Sequence, residues 1–473
     1  MLRRGGAERR ADGRHSLVMA LPGDGIFPGD GMMSRRTIGP NIAWAVAIAP
    51  VLLAAVTSAP LSGRGAEAVV PIRLGQFAAL GGMALLSVSF VLSSRARFLE
   101  DYFGGLDGMY RTHHTMGLTA FGLLCLHPIA LAARFLPADV TRSLLFVLPV
   151  HGRWTVNVGV WALWGLVVLM GLTLYTRFPY DLWKRSHQLL GLVLVAGLVH
   201  MLGVGSTRGL PVLVAESLGL RVYMVGLAGL GLVGALYKLV VVPRQAGNHR
   251  YVVDATHNLN DEVMEIELVP QHPDENIGFF PGQFVWVTFE HEDLSREAHP
   301  FTICSPAGAS RLRLTVKALG DFTSDLHRHL TPETPVRVEG PYGRFDYRQG
   351  APKQVWIAGG VGVAPFLSWA RHMAETDDRT HDVEFYYCVH SRGDAVHLEE
   401  LQSIGDALPT LKIALVCSVE DGHLHAEEVA DLDDRDIFLC GPQRLTQDLT
   451  QQFRTLGVSR GRIHAEDFEF RGA

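Results

Sequence analysis

The stretch HHTMGLTAFGLLCLHP at residues 113–128 decides the fold, because it places histidines at both ends of an apolar run. Ionisable side chains are costly inside a bilayer and usually face the interior of a helix bundle, where they serve a function. A second stretch, HQLLGLVLVAGLVH at residues 187–200, repeats this arrangement. Together the two stretches predict membrane helices that use histidine for chemistry.

Hydrophobic residues make up 48% of the 473 residues and are concentrated in the first half of the chain. Six apolar segments reach the ~20 residues needed to span a bilayer. These segments are 37–59, 72–93, 112–135, 154–176, 186–205 and 213–242. We expect an all-α, six-helix transmembrane bundle in the lipid bilayer of the plasma (inner) membrane.

Lysine and arginine are enriched before the first segment and in the loops at 94–111 and 177–185. This bias predicts that these regions lie in the cytoplasm. An even number of spans then puts the C-terminal half in the cytoplasm as well. The arginine-rich residues 1–36 are expected to be disordered, with the true start at Met1 or at Met32 or Met33. The SRR at 34–36 is interpreted as the positive flank of the first span, with a twin-arginine signal as the alternative.

Composition excludes several classes of protein. The net charge of -6 provides no basic surface for nucleic acid. The five cysteines contain no C-x-x-C pair, which argues against a cysteine-ligated iron–sulfur cluster, a zinc ribbon and a disulfide framework. There is no EF-hand loop, so calcium gating is not expected.

The histidine spacing predicts two levels of paired side chains. His113 and His127 are ~21 Å apart along an ideal helix and only ~40° from one face. His187 and His200 are ~19.5 Å apart, although an ideal helix turns them ~140° apart. The third and fifth spans run in the same direction, so His113 would meet His187 near the cytoplasm, and His127 would meet His200 near the far side.

Neutral imidazoles in two stacked pairs are suited to hold the iron of two six-coordinate b-type haems. Gly117 and Gly191 each follow a cytoplasmic-side histidine by four residues, which leaves room for a flat macrocycle. His114 is an alternative ligand to His113. The competing interpretation is that each histidine is a core residue bonded to carbonyls or water. His151 falls in an outer loop and is interpreted as structural.

The pattern changes after Arg244. Short strands separated by Gly, Pro and polar turns predict an antiparallel β-barrel. These strands are RYVVDATH, MEIELVP, QFVWVTFE, LRLTVKAL and PVRVEG. From Gln354 strands alternate with helices, which predicts an α/β domain with a parallel sheet. The predicted domains are 37–243, 248–347 and 353–473, with a hinge near 346–353.

Four motifs in this half suggest nucleotide chemistry. HPFT at 299–302 follows an inferred strand, where a threonine can hydrogen-bond a flavin N5. The segment 320–326, GDFTSDL, would open a helix whose N-terminal amides can bind a pyrophosphate, although an ordinary N-cap explains Thr323 equally well. GPYGRF at 340–345 and AGGVGVAPFLS at 358–368 complete the set. In the last of these, a glycine turn between strand and helix lets phosphate approach backbone amides.

The membrane half resembles the ferric reductase-type transmembrane domain shared by NADPH oxidases and ferric reductases, which carries bis-histidine haems on its third and fifth helices. The motifs of the C-terminal half, in their order, resemble those of the ferredoxin reductase-like dehydrogenases. The likeness runs from about residue 40 to the end. It implies metal ligation by His113, His127, His187 and His200. It implies catalytic roles for Thr302, Cys440 and Phe470, with Phe468 as the alternative to Phe470 for stacking on the flavin.

The same resemblance implies an FAD site and a nicotinamide nucleotide site. The residues assigned to FAD are His299, Pro300, Phe301, Thr302, Lys317, Gly320, Phe322, Thr323, Ser324, Gly340, Pro341, Tyr342 and Gly343. The residues assigned to NAD(P)H are Gly359, Gly360, Gly362, Val363, Ala364, Pro365, Ser391, Arg392, Cys440, Gly441 and Pro442. Arg392 favours NADPH slightly, because a guanidinium suits a 2′-phosphate, and a solvated Ser-Arg turn is the alternative. Cys440 is alternatively a buried structural residue.

The resulting hypothesis is a membrane flavocytochrome that transfers electrons from cytosolic NAD(P)H through FAD and two b-type haems to an acceptor across the membrane. The acceptor is oxygen, giving superoxide, or ferric iron in chelates, and no residue decides between them. A membrane transporter whose histidines relay protons, with a flavin-based redox sensor domain, is the alternative from a different class.

Overall fold

The computed structural model describes residues 38–58, 66–175, 180–204, 213–242, 244, 249–429 and 431–466. The expectations for residues 1–36 and for Phe468 and Phe470 lie outside these described residues. The predicted order of a helical N-terminal half, an antiparallel sheet and a parallel sheet is confirmed.

The described part of the chain contains six helices long and apolar enough to cross a membrane, as predicted. These candidate spans are Ile38–Thr57, Val69–Leu92, Leu106–Ala133, Trp154–Leu174, Leu182–Gly203 and Leu218–Val241. The third begins earlier than the predicted residue 112. Leu106 and Met109 are fully buried, so tertiary packing extends the helix beyond its most apolar window.

The α-helices of this half are numbered in chain order. They are α1 Ile38–Thr57, α2 Ala66–Leu92, α3 Arg97–Phe103, α4 Leu106–Ala133, α5 Val140–Leu145, α6 Trp154–Leu174, α7 Tyr180–Gln188, α8 Leu190–Gly203, α9 Leu213–Glu216 and α10 Leu218–Leu236. A π-helical segment, Tyr237–Val241, continues α10.

Helix α2 is the central helix of the bundle. Its most apolar window is 67% buried, against 17–28% for the other candidate spans. It packs chiefly against α4 and α10, and small residues allow the close approach. Gly82 faces the Leu124 side chain of α4, and Gly231 of α10 faces the backbone of Ser87. Close packing of small residues is the usual way in which membrane helices associate.

The fifth span is interrupted, which the sequence did not predict. Helix α7 ends at Gln188, α8 begins at Leu190, and Leu189 between them has ψ −14°. The ideal-helix angle of ~140° between His187 and His200 therefore does not apply, because the two histidines lie on separate helical segments. Leu189 keeps right-handed helical angles, and its amide donates to the carbonyl oxygen of Ser186, three residues back, so the helix is locally tightened there.

The antiparallel sheet has six strands in the order β4-β3-β6-β1-β2-β5. The strands are β1 Arg250–Asn258, β2 Val263–Pro270, β3 Phe284–Phe289, β4 His299–Thr302, β5 Leu312–Lys317 and β6 Pro335–Tyr342. The sheet curls around an apolar core that includes Ile266, Val287 and Leu314. HPFT is itself strand β4, whereas the sequence analysis placed it after a strand. Helix α11, Asp321–His329, follows β5.

The parallel sheet has the order β11-β10-β7-β8-β9. Its strands are β7 Lys353–Gly359, β8 Asp382–Val389, β9 Leu411–Cys417, β10 Asp436–Cys440 and β11 Ile463–Glu466. Its helices are α12 Ala364–Thr376, α13 Leu398–Ala407 and α14 Gln443–Thr455. Trp356, Phe366 and Trp369 are fully buried between sheet and helix and form the centre of the core.

Candidate functional site

The four predicted histidines form two facing pairs in the bundle. The ring centroids of His113 and His187 are 6.0 Å apart, and those of His127 and His200 are 6.4 Å apart. We call these the inner pair and the outer pair, because the inner pair lies towards the helix ends that contact the antiparallel sheet. His114, the alternative to His113, is exposed and does not face the inner pair.

The hydrogen bonds of the imidazoles fix their orientation. Three Nδ1 atoms lie within hydrogen-bond distance of backbone carbonyl oxygens. Nδ1 of His113 is 2.9 Å from the carbonyl oxygen of Ser89, Nδ1 of His127 is 2.8 Å from that of Gly75, and Nδ1 of His200 is 2.8 Å from that of Thr155. His187 Nδ1 lies 3.2 Å from Thr173 Oγ1. A carbonyl only accepts, so Nδ1 of His127 and of His200 carries the proton, and Nε2 is left as the basic nitrogen. His113 Nδ1 also lies 2.8 Å from the Ser89 hydroxyl oxygen. A partner on Nδ1 is the usual second-shell arrangement of a metal-binding histidine.

The pair spacing fits an iron atom between the two rings. With metal–nitrogen bonds of about 2 Å on each side, two imidazole centroids flanking one metal are about 6 Å apart. The described residues contain no group of three or more His, Cys, Asp or Glu side chains placed to hold a metal. Haem iron needs only two axial ligands from the protein, so isolated pairs suit haem and do not suit a metal bound by side chains alone.

An apolar layer separates the two pairs. Leu166, Met170, Leu190 and Val193 are buried there, and Phe90 and Phe121 pack against them. Phe121 lies on α4 between His113 and His127, and Phe90 comes from α2.

The outer pair opens into a cavity lined by several polar side chains. His127 and His200 line it together with Arg134, His151 and Arg153. His151 was interpreted as structural, and its Nε2 lies 3.0 Å from the carbonyl oxygen of Phe146. The same side chain is therefore both anchored in the loop and part of the cavity wall. The rest of the cavity lining is mainly apolar, and Arg134 lies over the Phe135 and Phe146 rings.

The antiparallel sheet brings the predicted flavin residues onto neighbouring strands. Thr302 of β4 is paired with Phe284 of β3, which is paired in turn with Tyr342 of β6. Thr302 is buried, and the Phe284 and Tyr342 rings are 6.0 Å apart. Gly343 follows with φ 101°, a conformation that favours glycine. HPFT and GPYG, 38 residues apart in the chain, therefore meet at one end of the sheet.

Helix α11 begins beside these strands. Thr323 Oγ1 accepts hydrogen bonds from the amides of Leu319, at 3.0 Å, and Gly320, at 3.1 Å. Gly320 is therefore the N-cap residue, and Thr323, at the third position of the helix, accepts from the Gly320 amide. Phe322 stacks on His299 of HPFT, with ring centroids 3.6 Å apart. A role of these residues toward flavin phosphate or adenine stays a prediction.

The glycine turn after β7 is packed against the Cys440 segment. A side chain at Gly362 would collide with the carbonyl oxygen of Cys440, so this close approach requires glycine. Cys440 is fully buried at the carboxyl end of β10, beside Ala358 of β7. Parallel α/β sheets bind nucleotides at this edge. The structure therefore brings the 358–368 motif and Cys440-Gly441-Pro442 together.

Glu466 was missed by the sequence analysis. It pairs with Cys440 in the parallel register and is 8% exposed. Burial raises the pKa of its carboxyl well above the ordinary value, and the nearby Asp107 carboxylate adds to the effect. A carboxyl that holds its proton beside Cys440 can donate a hydrogen bond at the site edge. The stretch HAEDFEF contained Glu466, but only the strand register shows that it lies opposite Cys440.

Ser391 and Arg392 begin a turn at the end of β8. The Ser391 amide and hydroxyl donate to the Asp394 carboxylate at 2.9 and 2.8 Å. The Ser391 hydroxyl, with its amide, lowers the pKa of Asp394, so this carboxylate is negative at the position assigned to a 2′-phosphate. Lys317, assigned to the flavin, forms an ion pair with Glu262 at 3.1 Å and also attracts Asp394.

The membrane bundle contacts the antiparallel sheet through charged side chains. Arg97 of α3 donates to the carbonyl oxygen of Gly340. Arg344 bonds Asp101 at 2.7 Å and lies 3.3 Å from Glu100. Lys184 of α7 pairs with Glu297 at 3.2 Å. Residues 94–105 and 180–188 therefore face the antiparallel sheet, so the two connections predicted to be cytoplasmic lie on the same side of the bundle as this sheet.

Glu100 is fully buried in this contact. One carboxylate oxygen lies 3.2 Å from the Gly343 amide nitrogen, which donates to it, and the other, Oε1, has no hydrogen-bond partner. Burial raises the pKa of this carboxyl to about 7, and Arg344 opposes the increase. The GPYG segment is thus held directly by a buried acid of the membrane half.

Comparison with known proteins supports this division of the chain. Residues 78–198 match the family described as ferric reductase like transmembrane component. Residues 250–346 match an FAD-binding domain, and residues 356–451 match the oxidoreductase NAD-binding domain.

Curated relatives include two reductase components. The glycine betaine monooxygenase reductase subunit of Chromohalobacter salexigens is 30% identical over 217 residues, covering 41% of this chain and 58% of the relative. The reductase component of propane 2-monooxygenase from Rhodococcus jostii is 25% identical over 226 residues, covering 44% and 60%. The chain thus spans about three fifths of the length of these relatives.

Among solved structures, the FAD/NAD-binding domain of nitric oxide dioxygenase from Vibrio cholerae is 24% identical, with a TM-score of 0.42, and the match covers 46% of this chain and 97% of that one. A flavohemoglobin from Malassezia yamatoensis is 16% identical, with a TM-score of 0.47 and coverage of 90% and 98%.

The three domain matches in this order define the class: the chain carries an FAD-binding domain and an oxidoreductase NAD-binding domain attached to a ferric reductase-like membrane domain, and its described residues include six candidate spans. More particularly, it has the architecture of the ferric reductases and NADPH oxidases, in which a ferric reductase-like transmembrane domain precedes a ferredoxin reductase-type module.

Proposed function

We propose that the protein is a membrane flavocytochrome that transfers electrons from cytosolic NAD(P)H through FAD and two b-type haems to an acceptor on the far side of the membrane. The observation that carries the proposal is the double pairing of histidines, with centroids 6.0 and 6.4 Å apart, on helices that begin at the flavin sheet. When bound, FAD accepts a hydride and releases electrons singly, and haem iron carries single electrons.

The residues of each pair have distinct tasks in this proposal. His113 and His187 would hold the inner haem, and His127 and His200 the outer haem, each through Nε2. The carbonyls of Ser89, Gly75 and Thr155 hold the rings in the required tautomer. The apolar layer between the pairs excludes water from the path, which keeps protons and electrons separate.

The soluble residues position the nucleotide and the flavin. Thr302 offers a buried hydroxyl and amide at the sheet end where the flavin ring would lie. Gly362 lets the nucleotide-binding turn approach Cys440, which would border the nicotinamide. The Glu466 carboxyl keeps its proton beside Cys440 and can donate a hydrogen bond there. Phe470 is proposed to cover the flavin until nucleotide displaces it.

Spectroscopy and an acceptor assay test the proposal. Purified protein reduced with dithionite should show a b-type haem spectrum with about two haems per FAD. Absence of that spectrum would overturn the flavocytochrome and favour the transporter with a redox sensor. Membranes supplied with NADPH or NADH should then be assayed for superoxide formation and for ferric-chelate reduction, which identifies the acceptor.

A further inference from the structure

A groove of about 600 Å³ lies where the membrane bundle meets the antiparallel sheet, away from both histidine pairs. One end is apolar and is lined by Val91, Leu230, Val233 and Tyr237. Val91 is next to the last residue of the second candidate span, and the other three belong to the sixth. The groove therefore lies at the depth where hydrocarbon gives way to headgroups.

The other end of the groove is polar and mainly basic. It is lined by Arg95, Arg97, His249 and Glu339. Arg95 forms an ion pair with Glu339 at 3.5 Å, and its guanidinium carbon lies 3.9 Å from the centroid of the Trp286 ring. Arg97 is exposed. The pairing of Arg95 with Glu339 leaves Arg97 as the cation that sets the charge of this end.

His249 adds a second polar contact. Its Nδ1 lies 3.0 Å from the carbonyl oxygen of Glu275, so Nδ1 carries the proton and Nε2 points away from that bond. Phe98, beside Arg97, is 70% exposed. Exposed aromatic residues are characteristic of the membrane interface. A half-apolar, half-basic groove with an aromatic residue at its edge matches the two-part chemistry of a lipid.

We propose that this groove binds one anionic phospholipid from the leaflet that faces the FAD-binding sheet. The acyl chain lies against Leu230, Val233 and Tyr237, and the phosphate is held by Arg97. His249 Nε2 is an acceptor, so it accepts a hydrogen bond from a headgroup hydroxyl. Basic side chains at the membrane surface attract anionic lipids in this way. The proposal depends on the membrane placement of the six spans and is independent of haem binding.

The groove is directly connected to the flavin segment. Arg95 binds Glu339, and Arg97 binds the carbonyl oxygen of Gly340. Both partners belong to β6, which ends at Tyr342, just before Gly343. A lipid held by Arg97 therefore bridges the bilayer and the strand that carries GPYG. Lipid binding is expected to stabilise the contact between bundle and sheet.

Native mass spectrometry of the full-length protein tests the site. Delipidated protein in detergent is titrated with phosphatidylglycerol and, separately, with phosphatidylcholine of the same acyl chains. We expect about fivefold tighter retention of phosphatidylglycerol, and an about fivefold loss of that preference in Arg97→Gln. Val233→Trp fills the apolar end without changing charge and should lower the retention of both lipids.

Arg185→Gln provides the matched control, because Arg185 is an exposed arginine of α7 that does not line the groove. Its lipid retention should equal that of the wild type. Any one of three results would overturn the proposal. The first is equal retention of the two lipids by the wild type, the second is unchanged retention in Val233→Trp, and the third is an equal loss of retention in Arg97→Gln and Arg185→Gln. FAD content measured on the same samples shows whether each variant is folded.

Discussion

His113 of α4 and His187 of α7 face each other with ring centroids 6.0 Å apart, whereas His114 is exposed. One residue along a helix turns the side chain by about 100°, so the two neighbouring histidines cannot serve the same partner. The structure thus favours His113 as the member of the inner pair, which the doubled histidine had left open.

Removal of an outer histidine should remove one haem. His127→Ala or His200→Ala is expected to lower the haem-to-FAD ratio by about half, because a six-coordinate haem needs both axial ligands. Flavin reduction by NAD(P)H should be unchanged, since it takes place in the other half of the chain. Reduced-minus-oxidised difference spectra and extracted haem content provide the measurement.

His114→Ala is the control for that experiment. It removes an imidazole from the same helix without touching either pair, so both haems should remain. Loss of a haem in His114→Ala, or retention of both in His127→Ala, would contradict the pairing.

Cys440 is expected to support hydride transfer. Cys440→Ala should slow flavin reduction by NAD(P)H by roughly tenfold to a hundredfold in stopped-flow traces, because a small displacement at the nicotinamide edge has a large effect on rate. The FAD content should be normal, since Cys440 lies in the other sheet. Cys417→Ala removes another buried thiol of the same parallel sheet, on β9, and should keep the wild-type rate. Equal rates in the two variants would indicate that Cys440 is only a structural residue.

Asp394 should govern the choice between NADH and NADPH. Its carboxylate accepts two hydrogen bonds from Ser391 at the place assigned to the 2′-phosphate, and like charges repel. Asp394→Asn is expected to raise kcat/KM for NADPH relative to NADH by about tenfold. Asp406→Asn alters an exposed carboxylate of the same domain and should leave the ratio unchanged. If the ratio of kcat/KM for NADPH to that for NADH is the same in the wild type, Asp394→Asn and Asp406→Asn, then Asp394 does not determine the choice of nucleotide.

The buried Glu100 should make stability depend on pH. Its pKa is raised from 4.5 to about 7, so the folded state binds the proton more tightly than the unfolded state. Its contribution is therefore fully present below pH 4.5 and is lost as the pH rises through 7. The loss between these limits is on the order of 3 kcal/mol.

Thermal unfolding of the detergent-solubilised protein at pH 5.5 and 8 measures this effect. Glu100→Gln should flatten the decrease in Tm between the two values, because an amide does not ionise. Asp406→Asn changes an exposed carboxylate of the nucleotide-binding domain and should keep the wild-type pH dependence. An identical slope in Glu100→Gln and the wild type would show that Glu100 does not titrate in this range.

The sequence predicted the elements whose determinants are local or periodic. Hydropathy located all six candidate spans, and the spacing of His113, His127, His187 and His200 indicated their pairing. The strand and turn patterns identified both sheets. The prediction for the fifth span was incomplete, because neither Pro nor Gly stands at position 189 to mark the local change in the helix.

Contacts between distant segments could not be predicted in this way. Glu100 lies in a loop that looks like an ordinary charged connection, and its burial appears only when Gly343 and Arg344 are packed against it. Glu466 meets Cys440 through a parallel strand register. By sequence Thr323 could be a phosphate ligand or an N-cap, whereas the structure makes Gly320 the N-cap and has Thr323 accept from the amides of Leu319 and Gly320.

The contact between residues 97–101 and 340–344 has a consequence for sequence divergence. Arg97, Glu100 and Asp101 each bind a residue of the GPYGR segment, so a substitution on one side alters the other. The two short stretches should therefore co-vary among related chains. When the FAD- and NAD-binding module of a soluble reductase is fused to this bundle, we expect no electron transfer from the module to the bundle unless both stretches are exchanged together.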